Sequence, residues 1–306
     1  IPADAYYGIN AARGAENFNI TGRTIHKELI IGLAEVKKAC AISNFAAGIM
    51  KEDVKDAIVQ ASDEIIQGKF HDQFPCDPIQ GGAGTTANMN ANEVIANRAN
   101  EILGGELGVY DKVNANDHVN QGQSTNDAFP TAGKIAALKL GERTVGELRQ
   151  LYNALLEKSK EFDHVIKMGR THLQDAVPIR LGQEFGAYAE VVGRDVVRLK
   201  KAQEEILSVN LGGTAVGTGI NADSEFEKNI VPNLAKITGI NLKQCEDLVD
   251  GTQNLDGYVV VSGALKTCAV SLSKISNDLR LLSSGPRTGF GEINLPPKQN
   301  GSSIMP

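Results

Sequence analysis

The sequence predicts a mainly α protein in which a smaller N-terminal domain precedes a long central helical bundle. Three observations lead there. Apolar residues recur at spacings of three and four over three long stretches, shorter helical patterns alternate with Gly- and Asn-rich loops upstream, and no internal repeat points to a solenoid. With 306 residues, 42% of them hydrophobic, the chain has the material for a sizeable core and about two domains.

The shorter patterns lie around residues 27–49, 51–67 and 87–103, separated by loops rich in Gly, Pro, Asp and Asn. They define an N-terminal mainly helical domain over 1–124, followed by the bundle domain over 125–306. The first long stripe runs through Ile135, Leu138, Val145, Leu148, Tyr152 and Leu155. A second uses Leu181, Phe185, Tyr188, Val192, Val196, Leu199 and Ile206, and a third uses Leu265, Cys268, Ala269, Leu272, Ile275, Leu279 and Leu282. Each implies a helix of roughly 25–30 residues, about 40 Å long, and three such helices joined by shorter polar segments imply an antiparallel bundle. Tyr258-Val259-Val260-Val261 has strand propensity, but the helical period continues through it without a breaker, so it reads as the start of the third long helix.

A net charge of −6 and a pI near 5.5 leave no basic footprint for nucleic acid, so small polar substrates fit better than polyanions. The four cysteines, Cys40, Cys76, Cys245 and Cys268, form neither a CxxC pair nor a compact disulfide framework, which suits reduced thiols in the cytoplasm. The N-terminus lacks a signal-peptide pattern and no run of about 18 uncharged apolar residues occurs, so neither export nor membrane insertion is expected. The lack of an initiator Met and the ending at Pro306 lead us to expect a fragment of a longer chain.

Four loops carry more hydroxyl and amide side chains than packing requires. Gly81 to Glu93 places glycines and free N–H groups before a helix, which suits an anion; an ordinary helix entry capped by Thr85 or Thr86 remains open. Asn116 to Asp127 contains Ser124, Thr125 and Asn126, donors for a carboxylate or simply a capping loop. Gly169 to Pro178 sets His172 beside Thr171 in a loop between two long helices, and such a His binds an anion or moves a proton near neutral pH. Ser283 to Glu292, continuing to Gly301-Ser302-Ser303-Ile304-Met305-Pro306, is a flexible Gly-rich loop, and its paired serine after Gly is a weak nucleophile or base signal. His26, His71, His118, His164 and His172 lack ligand spacing among themselves or with the cysteines, so no metal site is expected.

Taken together, these segments resemble the aspartase/fumarase superfamily, most closely its aspartate ammonia-lyase branch. The resemblance rests on Ala5-Tyr6-Tyr7-Gly8, Glu16-Asn17-Phe18, the Thr85 segment with Met89-Asn90-Ala91-Asn92-Glu93, Gln123 to Asp127, Gly169 to Pro178, Gly212 to Gly219 and Gly301 to Pro306. It covers essentially the whole chain.

The resemblance implies elimination of ammonia from L-aspartate to give fumarate, without metal or organic cofactor, in a homotetramer whose sites form where loops from three subunits meet. It implies Ser302 as the base that takes the carbon proton, leaving an aci-carboxylate dianion. It implies Thr85, Ser124, Thr125, Asn126, Thr171 and His172 as substrate contacts, with His172 also in a catalytic role. The family's signature continues past Pro306 with a Lys and an Asn, and its third domain follows; the sequence ends before both. Class II fumarase, which expels water instead of ammonia, is the nearest rival. Ser124-Thr125-Asn126 stands where fumarases resemble Ser-Ser-Asn, and Asp175 to Pro178 also departs from them, which favours the aspartate branch. A non-catalytic helical scaffold of the same superfamily is the third reading, and it leaves Ser302 without a purpose.

Overall fold

The structure is a computed structural model that describes residues 1–298, so Ser302 and its neighbours lie outside the described residues. In chain order the helices α1 (Ile9–Asn17), α2 (Lys27–Ala46), α3 (Glu52–Ile66), α4 (Thr85–Ile102) and α5 (Thr125–Glu161) come first. The strands β1 (Ile166–Thr171) and β2 (Gln174–Arg180) follow, then α6 (Leu181–Glu204), β3 (Ser208–Val209), α7 (Ser224–Thr238), β4 (Lys243–Gln244), α8 (Leu248–Gln253) and α9 (Asp256–Leu282). The predicted mainly α class therefore holds.

Two compact units divide the described residues, one comprising 1–143 with 203–258 and the other 144–202 with 259–298. The sequence reading sets its boundary at 124 instead. The difference arises because α5 begins as part of the first unit, where a Cβ on Gly32 of α2 would stand 2.7 Å from the Ala132 carbonyl oxygen.

In the first unit α2 is the central element, packed against α3, α4 and α7. Leu33, Val36, Ala39 and Cys40 are fully buried, and so are parts of its polar side, because a helix surrounded by others has no solvent face. Two of its buried carboxylates are consequently paired. Glu35 meets Lys139 Nζ at 2.6 Å, and Glu28 meets Arg143 Nη2 at 2.7 Å.

A buried carboxylate also organises α1. Glu93 of α4 accepts from the Gly8, Asn10 and Ala11 backbone N–H groups at 2.9, 2.8 and 3.1 Å, and from Asn10 Nδ2 at 2.9 Å. These N–H groups belong to the open first turn of α1, whose N-cap Gly8 offers no side chain, so a carboxylate from another helix supplies the cap and complements the dipole. A Cβ at Gly8 would lie 2.6 Å from the Glu93 carboxyl carbon, which explains the glycine.

In the second unit the stripe of α6 is buried as read, from Leu181 through Phe185, Tyr188, Val192 and Val196 to Leu199. The segment 169–178, read as a loop, is corrected to most of a β-hairpin. Strands β1 and β2 pair antiparallel with Thr171 opposite Gln174, leaving His172 and Leu173 as a two-residue turn. Nothing in the sequence announces it, because β2 is exposed on nearly every residue and so lacks alternation, and Pro178 lies within it. Two-residue turns with both φ positive usually carry Asn-Gly, whereas here His172 and Leu173 take φ of +51° and +63°.

Helix α9 keeps the predicted extent but buries less than its stripe implies. Cys268, Ile275 and Leu282 are buried, whereas Leu265 is 43% exposed and Val259 and Val270 are 70% and 64% exposed. By length and composition alone α9 could also cross a membrane. Its apolar residues run around the whole cylinder, so one chain covers only one side.

Candidate active site

The Gly-rich entry to α4 is built from backbone conformations that few residues tolerate. Gly84, at φ +93°, is the N-cap, and a Cβ there would press to 2.4 Å from the Phe129 ring, so this position requires glycine twice over. Neither Thr85 nor Thr86 caps the helix. The Ala87 N–H is satisfied by Gln80 Oε1 at 2.9 Å, and the exposed Thr85 hydroxyl donates to the Gly82 carbonyl at 2.6 Å.

The start of α5 is a reciprocal cap. Ser124 Oγ accepts from the Asn126 N–H at 3.2 Å while Asp127 Oδ1 accepts from the Ser124 N–H at 2.9 Å. The capping reading of this loop is thus correct for Ser124, and it does not exhaust the loop. Thr125 Oγ1 accepts from Asn88 Nδ2 at 3.1 Å, which brings the starts of α4 and α5 together and leaves the threonine proton free to donate elsewhere. Asn126, exposed, spends one amide hydrogen on the Ala215 carbonyl at 2.7 Å.

Beneath these groups lies a polar network that the sequence reading missed. Fully buried Lys37 donates to Asn120 Oδ1 at 2.9 Å and Gln123 Oε1 at 2.8 Å, and Asn88 and Asn92 also donate to Asn120 Oδ1, at 3.2 and 3.1 Å. A cation and two helix N-terminal ends on one side of the loop favour an anion beside them. Burial pulls the Lys37 ammonium down to about 8, against the opposing pull of Cys40 and Asp127. Burial also raises the Asp127 carboxyl, while N–H groups of Ser124, Thr214 and Gly212 work to lower it. His118 accepts through Nδ1 from the Asn114 N–H at 2.8 Å.

The Lys37 shift has a sign that can be checked. An unfolded lysine titrates near ~10.4, so between pH ~8 and ~10 the unfolded state holds the extra proton and folding stability rises with pH. Urea unfolding of the full-length protein across that window is expected to show wild-type stability rising relative to Lys37→Met, since the thiols raised by burial pull both proteins the other way. An equal slope in both proteins contradicts the assignment.

In the second unit Thr171 and His172 stand exposed at the hairpin tip. The base of the hairpin is tied by Lys167, which meets Glu184 at 2.9 Å and Glu292 at 2.6 Å, and by Arg170, which meets Glu292 at 2.5 Å and stacks 4.1 Å above the Phe290 ring. Burial works against the Glu292 charge, but hydrogen bonds from Arg170 and Lys167 hold its carboxyl below the usual range. At the start of the fourth loop Ser283 Oγ donates to the Arg280 carbonyl and Ser284 Oγ to that of Leu281, which closes α9, while the paired serines after Gly301 lie outside the described residues. Of the sequence-derived candidates, Thr85, Ser124, Thr125 and Asn126 therefore share the first unit, Thr171 and His172 occupy the second, and Ser302 lies outside the described residues.

A family profile described as lyase matches residues 1–306. The chain is 56% identical to aspartate ammonia-lyase of Bacillus subtilis and 48% identical to that of Escherichia coli, covering all of this chain and 64% and 65% of those proteins. It thus spans about two thirds of the length of the curated relatives it matches. A crystal structure described as fumarate lyase:delta crystallin from Brucella melitensis bound to cobalt superposes with a TM-score of 0.96 at 50% identity, covering 100% of this chain and 67% of that one. Class II fumarase from Schistosoma mansoni follows at TM-score 0.95 and 38% identity, covering 100% and 68%. The profile spans the whole chain, the curated relatives reach 56% identity over it and the solved structures superpose along all of it, so the chain belongs to the lyase family of the aspartase/fumarase superfamily.

Proposed function

We propose that this protein eliminates ammonia from L-aspartate to give fumarate, an anti elimination through an aci-carboxylate dianion. The observation that carries the reading is identity of 48–56% across the whole chain to curated aspartate ammonia-lyases, against 38% to the class II fumarase. Fumarate formation by the purified full-length protein, followed by absorbance from L-aspartate and then from L-malate, tests it. A preference for malate overturns the substrate.

In this reading Ser302 takes the carbon proton, and Thr85, Ser124, Thr125, Asn126, Thr171 and His172 hold the two carboxylates, with His172 also able to move a proton. Negative charge grows on the carboxylate oxygens as the proton leaves, so donors fixed beforehand lower the barrier more than they tighten the ground state. The geometry around Thr125 supports this, since its oxygen is already occupied by Asn88 and its proton is left to donate. Base and hydrogen bonds suffice for such chemistry, so no metal or organic cofactor is invoked. Asn126→Ala and Thr171→Ala are each expected to raise KM and also lower kcat, by at least about tenfold in kcat/KM. Unchanged steady-state kinetics in either variant removes that residue from the site.

A homotetramer with sites shared between subunits completes the proposal. The exposed apolar residues Val259, Val260, Leu265, Val270 and Leu281 of α9 suit burial against helices of further copies in a common bundle, better than a membrane, since Lys266, Lys274, Asp278 and Arg280 lie among them. A cytoplasmic location without nucleic-acid partners fits the acidic charge balance.

A further inference from the structure

We infer that Asp127 is a positioning residue for the Asn126 amide, acting through the turn at Gly212 to Ala215. The two oxygens of this fully buried carboxylate do separate work. Oδ1 accepts the Ser124 N–H at 2.9 Å and so fixes the first turn of α5. Oδ2 accepts the Gly212 and Thr214 N–H groups at 3.2 and 3.0 Å and so fixes a turn 85 residues away in sequence.

That turn is held in a costly conformation. Thr214 is β-branched yet sits at φ +55°, a region such residues avoid, and it persists there because its N–H is drawn to the carboxylate. The next residue, Ala215, presents its carbonyl to Asn126 Nδ2 at 2.7 Å, and Asn210 Nδ2 holds the Asn126 carbonyl at 3.0 Å. An amide has two hydrogens in one plane. With one spent on Ala215, the plane of the group is set, and the second hydrogen and the Oδ1 atom take fixed directions. A single carboxylate thereby sets the distance between the α5 start and the turn, and the turn aims the amide. The sequence contains both partners, in the motifs Ser124 to Asp127 and Gly212 to Gly219.

This inference rests on the reading of Asn126 as a carboxylate contact, and the test separates the two. Turnover of L-aspartate by the wild type addresses the reaction; affinity for succinate, a dicarboxylate that cannot eliminate, addresses the positioning and can be read whichever acid the enzyme prefers. In the full-length tetramer, Asp127→Asn turns an amide donor toward either Ser124 or the turn and is expected to weaken succinate by about 30-fold. In an Asn126→Ala background the same change is expected to cost less than about threefold, because the group it aims is gone. Additive losses overturn the inference, as does a variant that loses only thermal stability and binds succinate normally. Should Asp127→Asn fail to assemble, a crystal structure of the wild type with succinate decides. Asn126 Nδ2 is expected to bridge the Ala215 carbonyl and a succinate oxygen, and an amide turned away from Ala215 overturns the inference.

Discussion

Ser302→Ala in the full-length protein is expected to abolish fumarate release from L-aspartate while leaving aspartate binding and tetramer assembly nearly intact. The proposed division of labour requires it: carboxylate contacts come from the loops at Thr85, Ser124 to Asn126 and Thr171-His172, whereas the base acts only along the reaction coordinate. A serine hydroxyl is a poor base in water, so its reactivity depends on a closed, dry site, and no other side chain among the proposed contacts substitutes for it. Single-turnover measurements on protein of confirmed tetrameric size decide the point. A rate within about tenfold of wild type, or less than about 1.4 kcal/mol of barrier, removes Ser302 from the mechanism.

Glu93→Ala is expected to be the most destabilising single change in the first unit, by about 3–4 kcal/mol, because it strands buried backbone donors of Gly8 and Ala11 together with that of Asn10. Glu93→Gln is expected to fall between, since its amide keeps one acceptor and points a donor at the others. The readout is local as well as global. Hydrogen exchange at Gly8, Asn10 and Ala11 is expected to accelerate in both variants, and continued protection of these amides in Glu93→Ala contradicts the capping role.

These two residues show what the sequence made legible and what it hid. Both sit in motifs that the sequence singled out, yet Glu93 is a structural cap borrowed by a distant helix, and its partner 85 residues away cannot be read from a pattern. Long helices were legible because packing writes a 3.6-residue period over many turns; 27–49, 51–67 and 87–103 correspond to Lys27–Ala46, Glu52–Ile66 and Thr85–Ile102. The Val259 to Val261 run was correctly read as helix, since period outweighs propensity when nothing interrupts it. The hairpin at Thr171-His172 stayed hidden because its turn residues carry the positive φ without the usual glycine. Lys37 stayed hidden for a different reason: a charged residue in a helical stretch normally reads as a solvent face, and only the packing around α2 buries it. The stripe of α9 overstated burial in one chain, because the sequence does not say whether an apolar face is covered by its own chain or by a copy.

Complementation between inactive subunits tests the account most directly, since it joins the chemistry to the shared site. Full-length Thr171→Ala subunits, impaired in kcat and KM, and Ser302→Ala subunits, inactive, are co-expressed, and mixed tetramers are isolated by two different affinity tags and verified by native mass spectrometry. If sites draw the hairpin and the serine loop from different subunits, some sites in a mixed tetramer receive two intact loops, and fumarate release from L-aspartate returns to a substantial fraction of the wild-type rate. Verified mixed tetramers no more active than the Thr171→Ala parent contradict the account.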